Sequence, residues 1–286
     1  VGDASDVEQV RRLVAREGAQ TAIISKIESQ YAVDNLDEII QASDGIMVAR
    51  GDLGVEIPAE RVPVAQKRMI DACRMAGRVV IVATEMLESM IYSSSPTRAE
   101  VTDVANAVFD GTDAVMLSNE SAVGDFPVEA VATMTQIARR IERDYPRRGD
   151  ESQLASTIPN AISQAVSAIA RQLEASAILT LTKGGATARN VSKFRPSTPI
   201  LAITSEKKVA SQLQLVWGVH PLLVEDAASA TASFNRAMEM AADEALLREG
   251  DLVIQTAGTV ADVSGSTDLV KVSIVGKGTV LDPTIM

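Results

Sequence analysis

The chain is poor in residues that usually announce chemistry. Its 286 residues include one cysteine, one histidine and one tryptophan, and only 3% are aromatic. A lone Cys73 excludes an internal disulfide and a cysteine metal cluster, and it suits a reducing, cytoplasmic compartment. A lone His220 argues against histidine-based zinc sites and a Ser-His-Asp triad. Basic charge is in deficit, with 27 Lys and Arg against 38 Asp and Glu and a net charge of −11. Without a basic stripe or an aromatic stacking platform, no nucleic-acid partner is expected. Apolar runs are far too short for a membrane span, and no signal peptide is visible, so no membrane association is expected. The chain opens at Val1 rather than methionine, which reads as a fragment or a processed chain.

What is present is an α/β alternation. Hydrophobic residues make up 46%, enough at this length for a large core and two domains. The pattern predicts a helix over 6–17, a strand over 21–27, and a helix capped by Asp34 running to Ala42. A strand over 45–49 leads into a glycine-bearing loop, Arg50 to Gly54. A helix over 59–76 buries Met69 and Cys73, with Met75 near the core, and ends at Gly77. A strand over 79–83 follows. Thr97-Arg98-Ala99-Glu100 reads as a capping box, with Val101, Val104, Ala105 and Val108 on one helix face. A strand over 114–117 and a helix from Pro127 to about Arg143 complete this half. The charged, turn-rich stretch 145–153 marks a boundary, giving a domain over 1–150. Beyond it, strands over 177–182, 199–204, 219–224, 251–257 and 268–275 alternate with helices as a smaller open α/β sheet over 151–276, and 277–286 reads as a tail.

Polar stations recur at the ends of the first four strands. They are Lys26 and Glu28, then Asp52, then Thr84, then Ser118 and Glu120. Their spacing of roughly 30 residues is one unit of a (β/α)8 barrel, whose strand ends converge on one site. The first domain therefore reads as the C-terminal half of a TIM barrel. A closed barrel needs eight units, so the missing half is expected upstream of Val1 or from a partner chain. Alternation along a strand puts Lys26 and Glu28 on one face, and likewise Ser118 and Glu120. Two carboxylates without histidine or cysteine favour a hard cation such as Mg²⁺, and a neighbouring lysine suits a phosphorylated substrate or a developing enolate. A buried ion-pair network tying strand ends together is the alternative. Gly51 and Gly54 would let backbone amides approach a ligand. Thr84 and Ser118 read as caps of the next helices when taken alone. Glu85, Glu88 and Glu100 read as helix-entry charges, Arg98 as an ion-pair partner, and His220 as structural in a loop. In the second domain, Thr182-Lys183-Gly184-Gly185-Ala186-Thr187 runs from a strand into a helix and offers a phosphate cradle, with a plain tight turn as the alternative. Gly265-Ser266-Thr267 is a second polar loop beside it.

Several stretches together resemble the pyruvate kinase family. They are Ile24-Ser-Lys-Ile-Glu28, Ser43-Asp-Gly-Ile-Met-Val-Ala-Arg-Gly-Asp-Leu-Gly-Val-Glu56, Ala83-Thr-Glu-Met-Leu-Glu-Ser-Met90, Pro96-Thr-Arg-Ala-Glu-Val-Thr-Asp-Val-Ala-Asn106 and Val115-Met-Leu-Ser-Asn-Glu-Ser-Ala122. Trp217-Gly-Val-His-Pro221 and Gly250-Asp-Leu-Val-Ile-Gln-Thr-Ala-Gly258 continue the likeness. The resemblance implies the glycolytic transfer of a phosphoryl group from phosphoenolpyruvate to ADP, giving pyruvate and ATP. It implies Glu28 and Asp52 as ligands of Mg²⁺ (or Mn²⁺), and Lys26 as the charge-neutralising catalytic lysine. Gly51, Asp52 and Thr84 match the substrate carboxylate site. Ser118 matches the proton route to the enolate, with Arg50 and Glu120 supporting the site from behind. Residues 182–187 match a loop for a phosphorylated allosteric effector. The resemblance further implies K⁺ dependence, with ligands outside this chain, and a homotetramer at full length, with the helix from Thr97 to Asn106 as a contact surface. This piece alone is expected to have no turnover. Glu85 replaces the family's usual glutamine, and Asn119 its usual glycine or alanine. A Mg²⁺-dependent pyruvate or phosphoenolpyruvate lyase and a non-catalytic module binding a phosphorylated metabolite stand as alternatives.

Overall fold

β-Branched side chains lose rotamer freedom in helices and pack well on a pleated surface. The apolar runs of the first half accordingly form β1 (Ile24–Ile27), β2 (Gly45–Ala49), β3 (Val79–Ala83) and β4 (Ala114–Met116). The computed structural model describes residues 1–144, 157–225, 229–258, 267–276 and 278–279. The chain divides into two compact units, Val1–Arg147 and Arg148–Met286. The charged stretch expected to link them lies outside the described residues.

In the first unit the strands pair in parallel in the order β1-β2-β3-β4. Parallel neighbours in chain order, each followed by helix, are consecutive units of a barrel; a doubly wound sheet would reverse its order. Between and around them run α1 (Ala4–Arg16), α2 (Gln30–Asp34), α3 (Leu36–Ala42), α4 (Arg50–Glu56), α5 (Val62–Ala76), α6 (Arg98–Asp110), α7 (Asn119–Ala122) and α8 (Pro127–Asp144), with 3-10 turns at Ala59–Arg61 and Glu88–Ile91. Every residue of β3 is buried, as expected where a parallel sheet is covered on both faces. Ile27, Ile46, Val48, Val80 and Val82 share one core with Leu36, Ile39, Met69, Ile70, Cys73 and Val104. Gly77 ends α5 in the left-handed region at φ 66°, returning its amide to Arg74 and letting β3 begin two residues later.

Register fixes where the strands stop. Ala49 pairs with Ala83, and Ala83 with Met116, while Ile27 pairs with Val48. The residues that follow, Glu28, Arg50, Thr84 and Leu117, therefore leave the sheet along one edge.

The structure departs from the sequence reading at several points. Asp34 caps nothing: the Ser29 hydroxyl caps α2 by accepting from the Ala32 amide at 3.2 Å, and α3 restarts at Leu36. β1 begins at Ile24, not at residue 21. Arg50 to Gly54 is the helix α4 rather than a loop, because its first turn is capped from another strand, as described below. β4 stops at Met116, and the chain turns into α7, so Ser118 and Glu120 are not strand neighbours. On α6 the buried positions are Val104 and Ala107, whereas Val101 is exposed.

The second unit contains α9 (Ile158–Gln172), β5 (Ala177–Leu181), α10 (Ala186–Ser192), β6 (Ile200–Thr204), α11 (Lys207–Leu213), β7 (Val219–Leu223), α12 (Ala230–Asp243), β8 (Leu252–Gly258), β9 (Thr267–Ile274) and β10 (Gly278–Thr279). Among the described residues its six strands run in the order β10-β9-β8-β5-β6-β7. β5 is parallel to both β6 and β8, while β9 and β10 are antiparallel to their neighbours. The stretch expected as a tail thus contributes β10. His220 lies in β7 rather than in a loop, half exposed and 3.8 Å from Glu244.

Candidate active site

The sheet edge gathers the predicted stations from separate elements. Lys26 near the end of β1 points its Nζ 2.7 Å from Glu28 Oε2 and 2.7 Å from Asp52 Oδ2 on α4. The Lys26 ammonium is held above the usual lysine range, first by its hydrogen bond to Asp52 and then by that to Glu28. The Asp52 carboxyl is held below its ordinary value by the hydrogen bond and charge of Lys26. In this chain, which holds only part of the barrel, these side chains are 47%, 36% and 56% exposed. Solvent-exposed ion pairs contribute little to folding. An ammonium shared by two carboxylates at the strand ends is a geometry in which a cation or a phosphorylated substrate can take the place of the ion pairs.

A second group sits beside them. The Gly51 amide donates to Thr84 Oγ1 at 2.8 Å, and the Thr84 hydroxyl donates to the Ala83 carbonyl at 2.6 Å. Thr84 therefore caps the start of α4, not the helix that follows it. Both Thr84 and Glu85 have left-handed backbones, φ 70° and 54°. Such conformations cost on the order of 1–3 kcal/mol each outside glycine and concentrate at functional sites. Glu85 is thus part of a tight turn rather than a helix-entry charge. Neither Gly51 nor Gly54 has positive φ. A Cβ at residue 51 would stand 3.6 Å from Thr84 Oγ1 and 3.8 Å from Glu85 Oε1, an ordinary contact. The fold does not demand glycine there, so its absent side chain keeps a gap open between α4 and the Thr84–Glu85 turn.

Arg50 secures this turn, and two carboxylates secure the chain that follows it and the exit from β4. Arg50, only 10% exposed, donates through Nη2 to the Thr84 carbonyl at 2.7 Å and through Nη1 to Asp103 Oδ1 at 2.7 Å. Glu120 is 2% exposed; its Oε1 accepts from the Leu87 amide at 3.0 Å and its Oε2 from the Ser118 amide at 2.8 Å. That fold-back turns the chain out of β4. The Ser118 side chain makes no cap bond, and no hydrogen bond joins it to Lys26, Glu28, Asp52 or Thr84 among the described residues. Glu100 completes its capping box with Thr97 and also accepts from the Ser89 amide and hydroxyl at 2.7 and 2.6 Å. Burial opposes the charge on Glu100, but the Ser89 and Thr97 donors outweigh it and hold its carboxyl below the ordinary value. Arg98 is exposed and has no ion pair among the described residues. Asp103 escaped the sequence reading: it is an ordinary acid on a helix, and only the fold brings Arg50 to it.

The donor set fits a hard divalent cation. Glu28 and Asp52 bring oxygens within reach of one point, and Mg²⁺ accepts oxygen ligands at about 2.1 Å while usually keeping waters or substrate oxygens. No cluster of three or more acidic, histidine or cysteine side chains suited to a metal occurs among the described residues.

Residues 182–187 lie at the end of β5, where strand order reverses between β6 and β8, the usual place for ligands in an open α/β sheet. Lys183 and Gly184 are exposed, and Gly185 turns the chain into α10 at φ 83°. The Thr182 amide is spent on the Ile203 carbonyl, and the Thr187 hydroxyl accepts from Thr267 at 3.2 Å. Of the neighbouring polar loop, Gly265 and Ser266 lie outside the described residues.

Comparison with known proteins agrees with both halves. The pyruvate kinase barrel-domain profile matches residues 1–131, and the pyruvate kinase alpha/beta-domain profile matches 160–273. Pyruvate kinase 2 of Synechocystis sp. is 54% identical over 275 residues, covering 96% of this chain and 46% of that protein. The pyruvate kinase of Geobacillus stearothermophilus is 48% identical over 277 residues, covering 95% and 47%. The crystal structure of a pyruvate kinase from Cryptosporidium parvum superposes with a TM-score of 0.87 at 39% identity, covering 96% of this chain and 57% of that one. The chain spans about half the length of the curated relatives it matches. With a barrel portion and an α/β domain matched in sequence and in fold, the chain belongs to the pyruvate kinase family.

Proposed function

We propose that the protein carrying this chain transfers the phosphoryl group of phosphoenolpyruvate to ADP, giving pyruvate and ATP. The observation that carries the reading is the open-edge convergence of Lys26, Glu28 and Asp52. Residues 1–150 supply this part of the catalytic domain, and 151–276 a regulatory one. Glu28 and Asp52 would hold Mg²⁺, which supplies charge neutralisation at the transferring phosphoryl group when bound. Phosphoryl transfer asks little covalent chemistry of a protein and much positioning. The Lys26 ammonium offsets negative charge that builds up as the enolate oxygen loses its bond to phosphorus and an ADP oxygen gains one. The Gly51 and Asp52 amides and the Thr84 hydroxyl would receive the substrate carboxylate, the Gly51 amide giving up its bond to Thr84 Oγ1 and the hydroxyl its bond to the Ala83 carbonyl as the carboxylate enters. The enolate then takes a proton at its methylene carbon along a route past Ser118, which Glu120 fixes by binding its amide.

The lyase alternative is not favoured, since the similar proteins named above are all pyruvate kinases. K⁺ dependence, a homotetramer at full length and a cytoplasmic location belong to the same reading. A single buried cysteine suits that compartment, and no helix among the described residues is long and apolar enough to cross a membrane. Residues 182–187 would take a phosphorylated effector, as their place at the strand-order reversal supports. The test is pyruvate formation by the full-length protein with phosphoenolpyruvate, ADP, Mg²⁺ and K⁺. Oxalate, standing in for the enolate, should bind with Mg²⁺ in calorimetry. Absence of both turnover and oxalate binding would refute the reading.

A further inference from the structure

Two consecutive left-handed residues that are not glycine need something to hold them, and one side chain is placed to do so. Arg50 stands at the first position of α4, directly before Gly51 and two residues before Asp52. Its Nη2 donates to the Thr84 carbonyl at 2.7 Å and lies 3.3 Å from the Glu85 carbonyl and 2.9 Å from Met86 Sδ, so the guanidinium holds the strained turn chiefly through the Thr84 carbonyl. Asp103 on α6 fixes that guanidinium in turn, with Oδ1 2.7 Å from Nη1 and Oδ2 2.6 Å from Nη2. This two-oxygen, two-nitrogen fork is directional and cannot be copied by lysine. Arg50 is largely buried while Asp103 is 38% exposed, so the pair reaches from the helix layer to the sheet edge.

We propose that Asp103 and Arg50 are positioning residues that set the substrate carboxylate pocket. The inference rests on the phosphoenolpyruvate reading above and deepens it. Arg50 holds the 84–85 turn chiefly through the Thr84 carbonyl. The turn aims the Thr84 hydroxyl at the Gly51 amide, and the width of the gap beside Gly51 follows from both. Asp103 touches neither Lys26 nor the two metal-binding carboxylates, so its effect reaches the substrate only through Arg50 and the turn.

The test is Asp103→Asn in the full-length protein, with Arg50→Lys as a second variant. Asp103→Asn keeps size and leaves α6 intact, which a thermal melt checks. Loss of a charge-assisted hydrogen bond typically weakens what it supports by about tenfold or more. The expected result is a KM for phosphoenolpyruvate and a Kd for oxalate raised by about that factor, with the KM for ADP unchanged. Arg50→Lys should shift the same two constants further in the same direction. Unchanged phosphoenolpyruvate and oxalate constants in a folded Asp103→Asn protein would overturn the inference, as would an equal rise in both substrates' KM. A wild-type protein without turnover or oxalate binding would instead defeat the phosphoenolpyruvate reading itself, so the two failures are distinguishable.

Discussion

The amide of Gly51 donates to the hydroxyl of Thr84 at 2.8 Å, tying the first turn of α4 to the end of β3. An N-terminal helix amide is normally satisfied by a side chain just before it in sequence; here the cap comes from 33 residues further along the chain. The bond makes Thr84 a structural cap, and the proposed function adds contact with the substrate carboxylate. Thr84→Val keeps the shape but removes the acceptor. It should lower stability by about 1 kcal/mol, the typical net worth of one hydrogen bond, and weaken oxalate binding. Thr84→Ser should retain both. A thermal melt and calorimetry on the three proteins check this, and a Val variant that binds oxalate like wild type contradicts the carboxylate role.

Lys26 bridges Glu28 and Asp52, so removing it leaves two carboxylates adjacent without a counter-charge. Lys26→Met should therefore bind a divalent cation more tightly in the absence of substrate, measured with Mn²⁺ by electron paramagnetic resonance. Pyruvate formation should fall by about 10²–10³, as when a group stabilising transition-state charge is deleted. Weaker Mn²⁺ binding in the variant would show that the lysine supports the cation site rather than competing for its ligands.

Much of this was legible in the sequence, and the misses share a cause. The strands at 45–49 and 79–83 were read to the residue, because runs of valine and isoleucine bounded by polar turns leave little choice of conformation. The capping box at Thr97 and the αL stop at Gly77 are equally local signals. Lys26, Glu28 and Asp52 were expected to converge, and the ammonium lies 2.7 Å from each carboxylate, while their sharing of a cation belongs to the proposed function. By contrast, Arg50 to Gly54 looked like a loop because two glycines in five residues weaken a helix, and its cap is remote. Leu117 looked like strand because nothing local reveals that Glu120 folds back onto the Ser118 amide. Asp103 was invisible for the same reason. Local chemistry determined the elements, and the supporting contacts of the site come from residues far apart in the chain.

Glu100 supplies a test by pH. Its carboxyl lies below the ordinary value near 4.5, with Ser89 and Thr97 donors overcoming the opposing effect of burial. A depressed folded pKa means that its contribution is complete above that ordinary, unfolded value and is lost as pH falls through the folded one. Wild type should thus be more stable than Glu100→Gln at neutral pH, and the gap in melting temperature should shrink as pH drops from about 5 towards 3. A gap independent of pH would mean that the carboxylate's charge is not what secures the Ser89 turn.

Two glycines, Gly45 at the start of β2 and Gly51 in the first turn of α4, should answer differently to the same methyl group. At Gly45 an added Cβ would meet the Val79 carbonyl at 2.7 Å and Ile24 Cδ1 at 2.8 Å. The carbonyl belongs to the sheet and cannot swing away, so β1 or β3 must move, and overpacking of this kind costs about 1–3 kcal/mol. At Gly51 the nearest atoms are at 3.6 Å or beyond, an ordinary contact, and a helical alanine is favoured over glycine by about 1 kcal/mol. Gly45→Ala should therefore lower the melting temperature. Gly51→Ala should leave it unchanged or raise it, yet raise the KM for phosphoenolpyruvate because its methyl fills the gap facing Thr84. Melts and kinetics on both variants separate the two effects. A Gly51→Ala protein with unaltered phosphoenolpyruvate kinetics would mean that the substrate does not lie in that gap.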